Sequence, residues 1–238
     1  MSIAAYIKVI GRGKEGARAG VDIRGGAPAK LRDIALGGNA DVTSVMPPLF
    51  GACDTTKLPF FNRDVEKAKA LLEEGGVSGL TFELLITPEP VWQMMGQIIK
   101  ESLAEIGLTA NLATVDEGVA TKRLWIDNPG DFDASITWYA GYSDPAMLPL
   151  WWDPGVAGFT AGYTPSDPTL NELIASTRRL ALNDPSRPEA LQALCAAIDQ
   201  TANVIPLLTR RDTVAYRTDR INAELAHKDG YANTVRGM

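Results

Sequence analysis

An alternation of strand and helix patterns in the middle of the chain limits its fold more than any other feature. Residues 80–86, 108–115 and 133–139 are rich in β-forming side chains and read as strands. Residues 91–106 carry apolar side chains at helical spacing, and residues 117–126 form a second helical segment. Strand–helix–strand units with short connections build parallel sheets with right-handed crossovers. We therefore predict an α/β protein whose mostly parallel β-α-β sheet contains these three strands.

The segments after this unit are predicted to return to the same sheet. Helices are expected over residues 169–182 and 188–201, and short strands over 204–209 and 213–216. Pro206 interrupts the first of these late strands. Because proline cannot donate to a sheet ladder, this position indicates an edge strand or a crossing between lobes.

The first thirty residues fit the pattern poorly. A strand over residues 5–10 is weakly indicated, and residues 11–16 then match the G-x-G-x-x-G spacing of dinucleotide-binding loops. That motif needs a helix directly after it, and the glycines and proline of residues 17–28 leave no room for one. We interpret this segment as a flexible or partly disordered leader, and no cofactor is predicted.

Aromatic residues gather where the third strand of the unit ends. Three of the five tryptophans and three of the six tyrosines fall within roughly thirty residues. Flat aromatic faces at a strand end are typical of a ligand pocket, and open α/β sheets bind ligands at this end of their strands. Ligand-binding roles are therefore predicted for Trp138, Tyr139 and Tyr142. For Trp151 and Trp152, a pocket role and a core role remain equally open.

Composition excludes several classes of partner. The net charge is −6 and no basic stripe is present, which argues against nucleic acid. No apolar run of about 18 residues exists, so no membrane span is expected. The amino terminus lacks the basic start, apolar core and cleavage site of a signal peptide.

Few residues are available for metal binding or nucleophilic catalysis. His227 is the only histidine, and Cys53 and Cys195 lie far apart in sequence without other ligands at metal spacing. We predict no metal site and no catalytic residues. A disulfide between the two cysteines is one alternative, but the apolar helix face around Cys195 favours two unpaired thiols.

Five short motifs in order resemble the extracellular solute-binding proteins of the dipeptide, oligopeptide and nickel group (family 5), which serve ABC importers. They include a helix similar to D-x-x-K-A-K-x-L-L-x-x-A-G, a turn similar to L-x-x-I-G-I, a strand and loop similar to Y-D-x-x-x-x-G-W…D-P, and a crossing similar to x-I-P-L. With a helix–glycine–proline passage before them, they occupy residues 34–48, 62–76, 103–108, 132–145 and 204–207.

The resemblance implies a type II periplasmic-binding-protein-like lobe, with the first lobe missing. It implies a leader and remnant over residues 1–39, an α/β ligand-binding lobe over 40–210 and a return segment over 211–238. The expected partners are a small-molecule or peptide ligand and an ABC-importer membrane permease. The expected location is periplasmic or extracellular. Binding in this family proceeds by closure about a hinge, which would lie near Pro206.

One departure from the family concerns ligand charge. Peptide binders of this group hold the peptide's amino group with an acidic residue a few positions after the tryptophan, and here Gly141 occupies that position. Asp144, three residues later, is better explained as a helix cap. The resemblance therefore implies a ligand that does not depend on a free α-amine, such as a sugar, a modified peptide or another uncharged polar solute.

Two other functions remain as alternatives. One is a truncated interaction fragment with no role in transport. The other is a carbohydrate-active enzyme using a carboxylate pair, for which Asp131 with Asp133, or Asp116 with Glu117, are the available residues. Asp133 is better explained as the polar start of a strand, and Asp116 and Glu117 as charges that favour a helix start.

Overall fold

The computed structural model describes residues 2–7, 27–58, 61–139, 144–201, 204–211, 217 and 219. For residues 2–7 and for Tyr139 the backbone alone is described. Six strands form one sheet, and their bounds are β1 Ser2–Ile7, β2 Ala40–Val42, β3 Thr81–Ile86, β4 Thr109–Thr114, β5 Ala134–Tyr139 and β6 Ile205–Arg210.

The sheet has the order β2-β6-β1-β5-β3-β4. The three predicted strands, β3, β4 and β5, lie together and are mutually parallel, with Leu84 opposite both Leu112 and Ala134. This confirms the α/β fold and the shared sheet predicted from the sequence. The other half of the sheet is antiparallel, because β1 pairs in opposite direction with β5 and β6, and β2 with β6.

Strand β1 occupies the interior of the sheet. It pairs with β5 from Ser2 opposite Tyr139 to Ile7 opposite Ala134, and with β6 on its other side. The interpretation of a flexible leader is therefore wrong for Ser2–Ile7. An Ala-rich strand this short carries little periodic signal, and its two partners lie more than a hundred residues away along the chain. The glycine motif at residues 11–16 lies outside the described residues.

Seven helices cover the sheet within the described part of the chain. Their bounds are α1 Ala27–Lys30, α2 Val65–Glu74, α3 Pro90–Ala104, α4 Glu117–Thr121, α5 Pro154–Ala157, α6 Pro168–Arg179 and α7 Arg187–Asp199. Helices α1 and α4 each continue as one wider π-helical turn, over Leu31–Ala35 and Lys122–Ile126. A 3₁₀ segment covers Pro145–Trp152.

Both faces of the sheet are buried. Phe82, Leu84 and Ile86 of β3 join one apolar cluster with α2 and α3. Leu85, which points to the opposite face, joins a second cluster with α4, α6 and α7. A parallel strand that is buried on both sides loses the simple alternation of apolar and polar residues, as β3 does over Leu84–Ile86.

Pro206 lies inside the sheet, so the expectation of an edge strand is wrong. Strand β6 runs between β1 and β2, and Pro206 lies opposite Ala4, where the register with β1 shifts. An irregularity in the ladder accommodates a residue that has no N–H to donate. The second late strand predicted, over 213–216, lies outside the described residues.

Cys53 and Cys195 form a disulfide, which corrects the prediction of two unpaired thiols. Their Cα atoms lie 6.1 Å apart, although 142 positions separate them in sequence. Beside the bond, the Gln192 side chain accepts from the Asp54 N–H at 2.6 Å and donates to the Asp54 carbonyl at 3.3 Å. The loop before residue 58 is thereby fixed to α7, a contact that only the folded chain reveals.

Candidate functional site

A pocket of about 80 Å³ opens at the carboxyl ends of β3 and β5, beside the first turns of α3 and α4. Its lining includes apolar side chains from the two strands and from the π-helical turn after α4, among them Ile86, Leu124 and Ile136. This is the edge at which open parallel sheets bind ligands, because the turns that leave neighbouring strands meet there.

Side-chain hydrogen bonds fix the rim of the pocket. The Gln93 amide donates to the Thr87 carbonyl at 3.2 Å and to the Thr114 hydroxyl at 2.9 Å, which joins the ends of β3 and β4. The Ser135 hydroxyl donates to the Leu85 carbonyl at 3.1 Å and joins β5 to β3. These hydrogen bonds therefore join the ends of three strands, two of which line the pocket.

Three tryptophans from three different elements line the pocket. Trp138 comes from β5 and is 39% exposed, while Trp92 from α3 and Trp125 from the π-helical turn after α4 are half-buried. The indole N–H of Trp125 is buried and has no hydrogen-bond acceptor. A buried donor without an acceptor costs about 1–3 kcal/mol.

Two carboxylates belong to the polar part of the lining, Glu89 before α3 and Glu117 in the first turn of α4. A hydrogen bond from the Thr87 side chain, and a second from its own backbone N–H, lower the pKa of Glu89 below its ordinary value. Glu89 is therefore ionised at neutral pH. None of the described residues that line the pocket is a lysine or an arginine.

Of the four residues for which ligand binding is predicted, the structure describes one side chain. Trp138 lines the pocket and remains partly open to solvent. The side chain of Tyr139, together with Gly141 and Tyr142, lies outside the described residues.

The later aromatic residues belong mainly to the core. Trp152 is 3% exposed, and Tyr163 is buried with its ring edge-on to Phe132 at 5.8 Å between centroids. Trp151 is half-buried and packs edge-on to Phe159 at 4.6 Å. Trp151, Trp152, Phe159 and Tyr163 do not line the pocket. The two interpretations left open for Trp151 and Trp152 therefore resolve in favour of packing.

The carboxylates considered for catalysis have structural partners. Asp133 accepts from the Glu83 N–H at 2.9 Å at the start of β5, and Asp131 is exposed beside Arg123 at 3.5 Å. Asp116 caps α4 by accepting from the Val119 N–H at 3.0 Å. These contacts explain the acids as strand and helix determinants.

Asp144 has the capping role predicted for it. Its carboxylate accepts from the Ala146 N–H at 2.9 Å at the start of the 3₁₀ segment. The same oxygen pairs with Arg187, whose side chain is buried and also donates to the Leu180 carbonyl at 2.6 Å. Asp144 therefore has a structural role.

Neither a metal centre nor a membrane span is visible in the part of the chain that the structure describes. No three side chains of the metal-binding types converge there. Every helix there is too short or too polar to cross a bilayer.

Sequence reasoning missed Trp92, Trp125 and Glu89 as pocket residues. Trp92 and Trp125 lie in helical segments, where an aromatic residue usually indicates core packing. Glu89 has the ordinary appearance of a helix-start charge. The available signal was position, because residues in the turn after a parallel strand lie at the ligand-binding edge of the sheet.

The chain belongs to the family described as bacterial extracellular solute-binding proteins, family 5 (middle part), whose sequence model matches residues 29–159. This is a family of binding proteins, which confirms the prediction of a binding protein rather than an enzyme. Comparison with curated proteins finds no match.

Solved structures share the fold at low sequence identity. The HbpA2 protein of Haemophilus parasuis is 23% identical with a TM-score of 0.71, over 88% of this chain and 43% of that one. The periplasmic binding protein DppA of Helicobacter pylori, solved with the peptide STSA, is 19% identical with a TM-score of 0.69, over 87% and 41%. The chain thus spans less than half the length of these two proteins.

A third structure has nearly the extent of this chain. It is described as the peptide-binding protein of a peptide ABC transporter, and it is 18% identical with a TM-score of 0.68 over 87% of this chain and 99% of that one. At these identities the three likenesses establish the α/β lobe, which is of the type II periplasmic-binding-protein kind.

Proposed function

We propose that this chain is the carboxyl-terminal lobe of a solute-binding protein and that it binds a peptide or related small polar solute at the pocket beyond β3 and β5. The observation that carries the proposal is the pocket itself, where Trp92, Trp125 and Trp138 converge at the sheet edge that binds ligands. Binding needs no chemistry from the lobe, and the acids considered for catalysis, Asp116, Asp131 and Asp133, have structural partners.

Exposed apolar side chains on the elements that border the pocket support a second surface closing over it. Trp138 lines the pocket, while Met94 of α3 and Val119 of α4 lie outside the lining, and all three are more than a third exposed. Apolar groups are usually left exposed together where another surface covers them. In the proposed mechanism the first lobe closes over the pocket about a hinge near Pro206, and ligand shifts the equilibrium toward the closed state.

The ligand in this proposal does not depend on a free α-amine. Gly141 occupies the position at which peptide binders of the family carry an acid, and Asp144, the next acid along the chain, is engaged by Arg187. Tyr139 and Tyr142 complete the proposed ligand-binding set with Trp138 and Gly141.

The proposed partner is an ABC-importer permease, and the proposed location is the periplasm or the cell exterior. Family membership is the main support for both. The disulfide between Cys53 and Cys195 adds to it, because such bonds persist in oxidising compartments. The division into residues 1–39, 40–210 and 211–238 also stays a proposal, with β1 counted as part of the sheet.

Indole nuclear magnetic resonance tests the pocket directly. The chain is titrated with a panel of N-acetylated and unmodified di- and tripeptides, sugars and amino acids, and the five tryptophan N–H signals are followed. We expect at least one class of solute to shift the signals of Trp92, Trp125 and Trp138, and Trp138→Ala to abolish the shift. Phe159→Ala, which removes a similarly exposed ring outside the pocket, is the control.

Two results would contradict the proposal. One is a panel that leaves the three pocket signals unchanged at millimolar concentration. The other is binding that Trp138→Ala and Phe159→Ala weaken equally. In either case the interaction fragment without a transport role becomes the better interpretation.

A further inference from the structure

The charged residues that line the pocket indicate what kind of ligand group the pocket binds. Glu89 and Glu117 supply carboxylates from two different elements, and none of the described lining residues carries a positive charge. The rest of the lining is apolar or hydroxyl-bearing, with three indole rings. A pocket with carboxylates and aromatic walls differs from a site for the uncharged polar solutes that the sequence resemblance implies.

Neither carboxylate forms the capping hydrogen bond of the helix beside it. Glu89 stands directly before α3, but its side chain makes no capping hydrogen bond to the helix. Next to Glu117, the carboxylate of Asp116 already accepts from Val119 and caps α4. No ion pair joins Glu89 or Glu117 to a described basic residue. Helix starts favour acids in general, and Glu89 also accepts from the Thr87 side chain and its own N–H. A carboxylate has about four acceptor sites, so both side chains retain acceptor capacity for a ligand.

The indole rings favour the same kind of ligand. The face of an indole carries negative charge density and attracts ammonium and guanidinium groups, most strongly where water is displaced. A volume of about 80 Å³ corresponds to between two and three water molecules, at roughly 30 Å³ each. That volume suits a small head group and leaves the rest of the ligand over the open rim.

We propose that the pocket selects a ligand that carries an organic cation, a guanidinium or alkylammonium head group, held between the indoles of Trp92, Trp125 and Trp138 and the carboxylates of Glu89 and Glu117. This proposal rests on the ligand-binding role of the pocket. The cation is a side-chain or terminal head group rather than a peptide α-amine, so it needs no acid at position 141.

Matched pairs of probes separate charge from shape. The first pair is N-acetyl-arginine N-methylamide and N-acetyl-citrulline N-methylamide, which have nearly the same shape and differ by one charge. The second pair is choline and its neutral isostere 3,3-dimethylbutanol. Each probe is titrated into the full chain while the indole N–H signals are followed. We expect the cation of at least one pair to bind about tenfold more tightly than its neutral partner, and that pair identifies the head group.

Charge variants locate the source of the preference. Glu89→Gln with Glu117→Gln is expected to reduce the tenfold preference to less than about twofold and to leave affinity for the neutral probe nearly unchanged. Glu101→Gln is the control, because it removes an equal charge from an exposed position of α3 outside the pocket. Raising the salt concentration should weaken the cation and spare the neutral probe.

The outcomes distinguish this proposal from the one on which it rests. Neutral probes that bind at the pocket as tightly as the cations overturn the cation proposal and leave the binding function standing. A preference that survives in the double glutamine variant, or that Glu101→Gln also removes, overturns it as well. If no probe of either pair shifts the pocket indoles while another solute of the panel does, the cation proposal alone is wrong. If no solute of any kind shifts them, both proposals fail.

Discussion

The five tryptophans show how residues of one type take different roles according to the surface on which they lie. Trp152 is 3% exposed within the cluster under α6 and α7, whereas Trp138 is 39% exposed at the end of β5. Side-chain burial determines what each contributes to stability, and the position at the strand ends determines which can contact a ligand.

Replacing each of these two tryptophans by alanine should therefore give opposite results. Trp152→Ala removes a buried ring and should lower the free energy of unfolding by about 3–5 kcal/mol. Trp138→Ala should lower it by less than Trp152→Ala does, because 39% of the residue is already in water, and should also abolish the ligand response of the pocket. Urea denaturation measures the first effect and indole resonance the second. Equal destabilisation by both changes would mean that Trp138 is a core residue.

The ion pair between Asp144 and Arg187 gives a second prediction at the scale of residues. Arg187 is 5% exposed, and Asp144 both pairs with it and caps the 3₁₀ segment. Asp144→Ala removes the cap and leaves a buried charge without its partner, so we expect a loss of about 2–4 kcal/mol. Chemical denaturation measures the loss.

An exposed ion pair on α6 provides the matched control. The Arg179 guanidinium lies 2.7 Å from Glu172, and both side chains are largely in solvent. Glu172→Ala should cost less than about 0.5 kcal/mol, because solvent screens such pairs. A similar cost for Asp144→Ala would show that Arg187 reaches water in solution.

At the scale of the structural elements, the disulfide between Cys53 and Cys195 joins a loop to α7, and a reductant can break this bond. The bond closes a separation of 142 residues, and closing a long loop in the unfolded chain stabilises the folded state by about 2–5 kcal/mol. Dithiothreitol should lower the melting temperature accordingly, and the Cys53→Ser/Cys195→Ser variant should melt at the reduced value. Reductant should have no effect on that variant, and a melting temperature that reductant leaves unchanged in the native sequence would contradict the bond.

Strand β1 gives a prediction of a different kind, because it joins the two halves of the sheet. Ala5 lies opposite Ile136 of β5 and Ile205 of β6, so a proline there removes a donor and disturbs an interior strand. We expect Ala5→Pro to abolish cooperative unfolding, since β5 and β6 lose their common neighbour. Ser2→Pro, at the first residue of the strand, is the control and should be tolerated. Cooperative thermal unfolding of both variants would show that β1 is dispensable.

The elements that the sequence predicts well are those with local signals. Helix α2, Val65–Glu74, lies within the helix motif at residues 62–76, and β3, β4 and β5 differ from the predicted segments by at most one residue at either end. The strand indicated over residues 5–10 overlaps β1, but its place in the sheet was missed, and so was the disulfide, because both depend on partners far away in the sequence. For the candidate site, Trp138 follows from the end of its strand, but Trp92, Trp125, Glu89 and Glu117 come together only once the strands are placed side by side.

At the scale of the whole molecule, the proposed function places the pocket on a face that a second lobe covers. The chain spans 43% of the Haemophilus parasuis structure that it resembles, and Trp138 of the pocket is 39% exposed. A ligand held by one lobe makes about half of its contacts, while the loss of its translational and rotational freedom is the same. The affinity of this chain alone is therefore expected to be weak, with a Kd on the order of 1 mM.

Joining a first lobe to this chain should tighten binding by about a hundredfold or more, because the ligand then makes the second half of its contacts without a second loss of freedom. Calorimetric titration of a two-lobed form with acetylated and unmodified peptides measures this, with Trp138→Ala as the pocket variant. We expect tight binding that needs no free α-amine and that Trp138→Ala weakens at least tenfold. If unmodified peptides alone bind tightly, and Trp138→Ala leaves that affinity unchanged, then neither the role given to Gly141 nor the position of the pocket is correct.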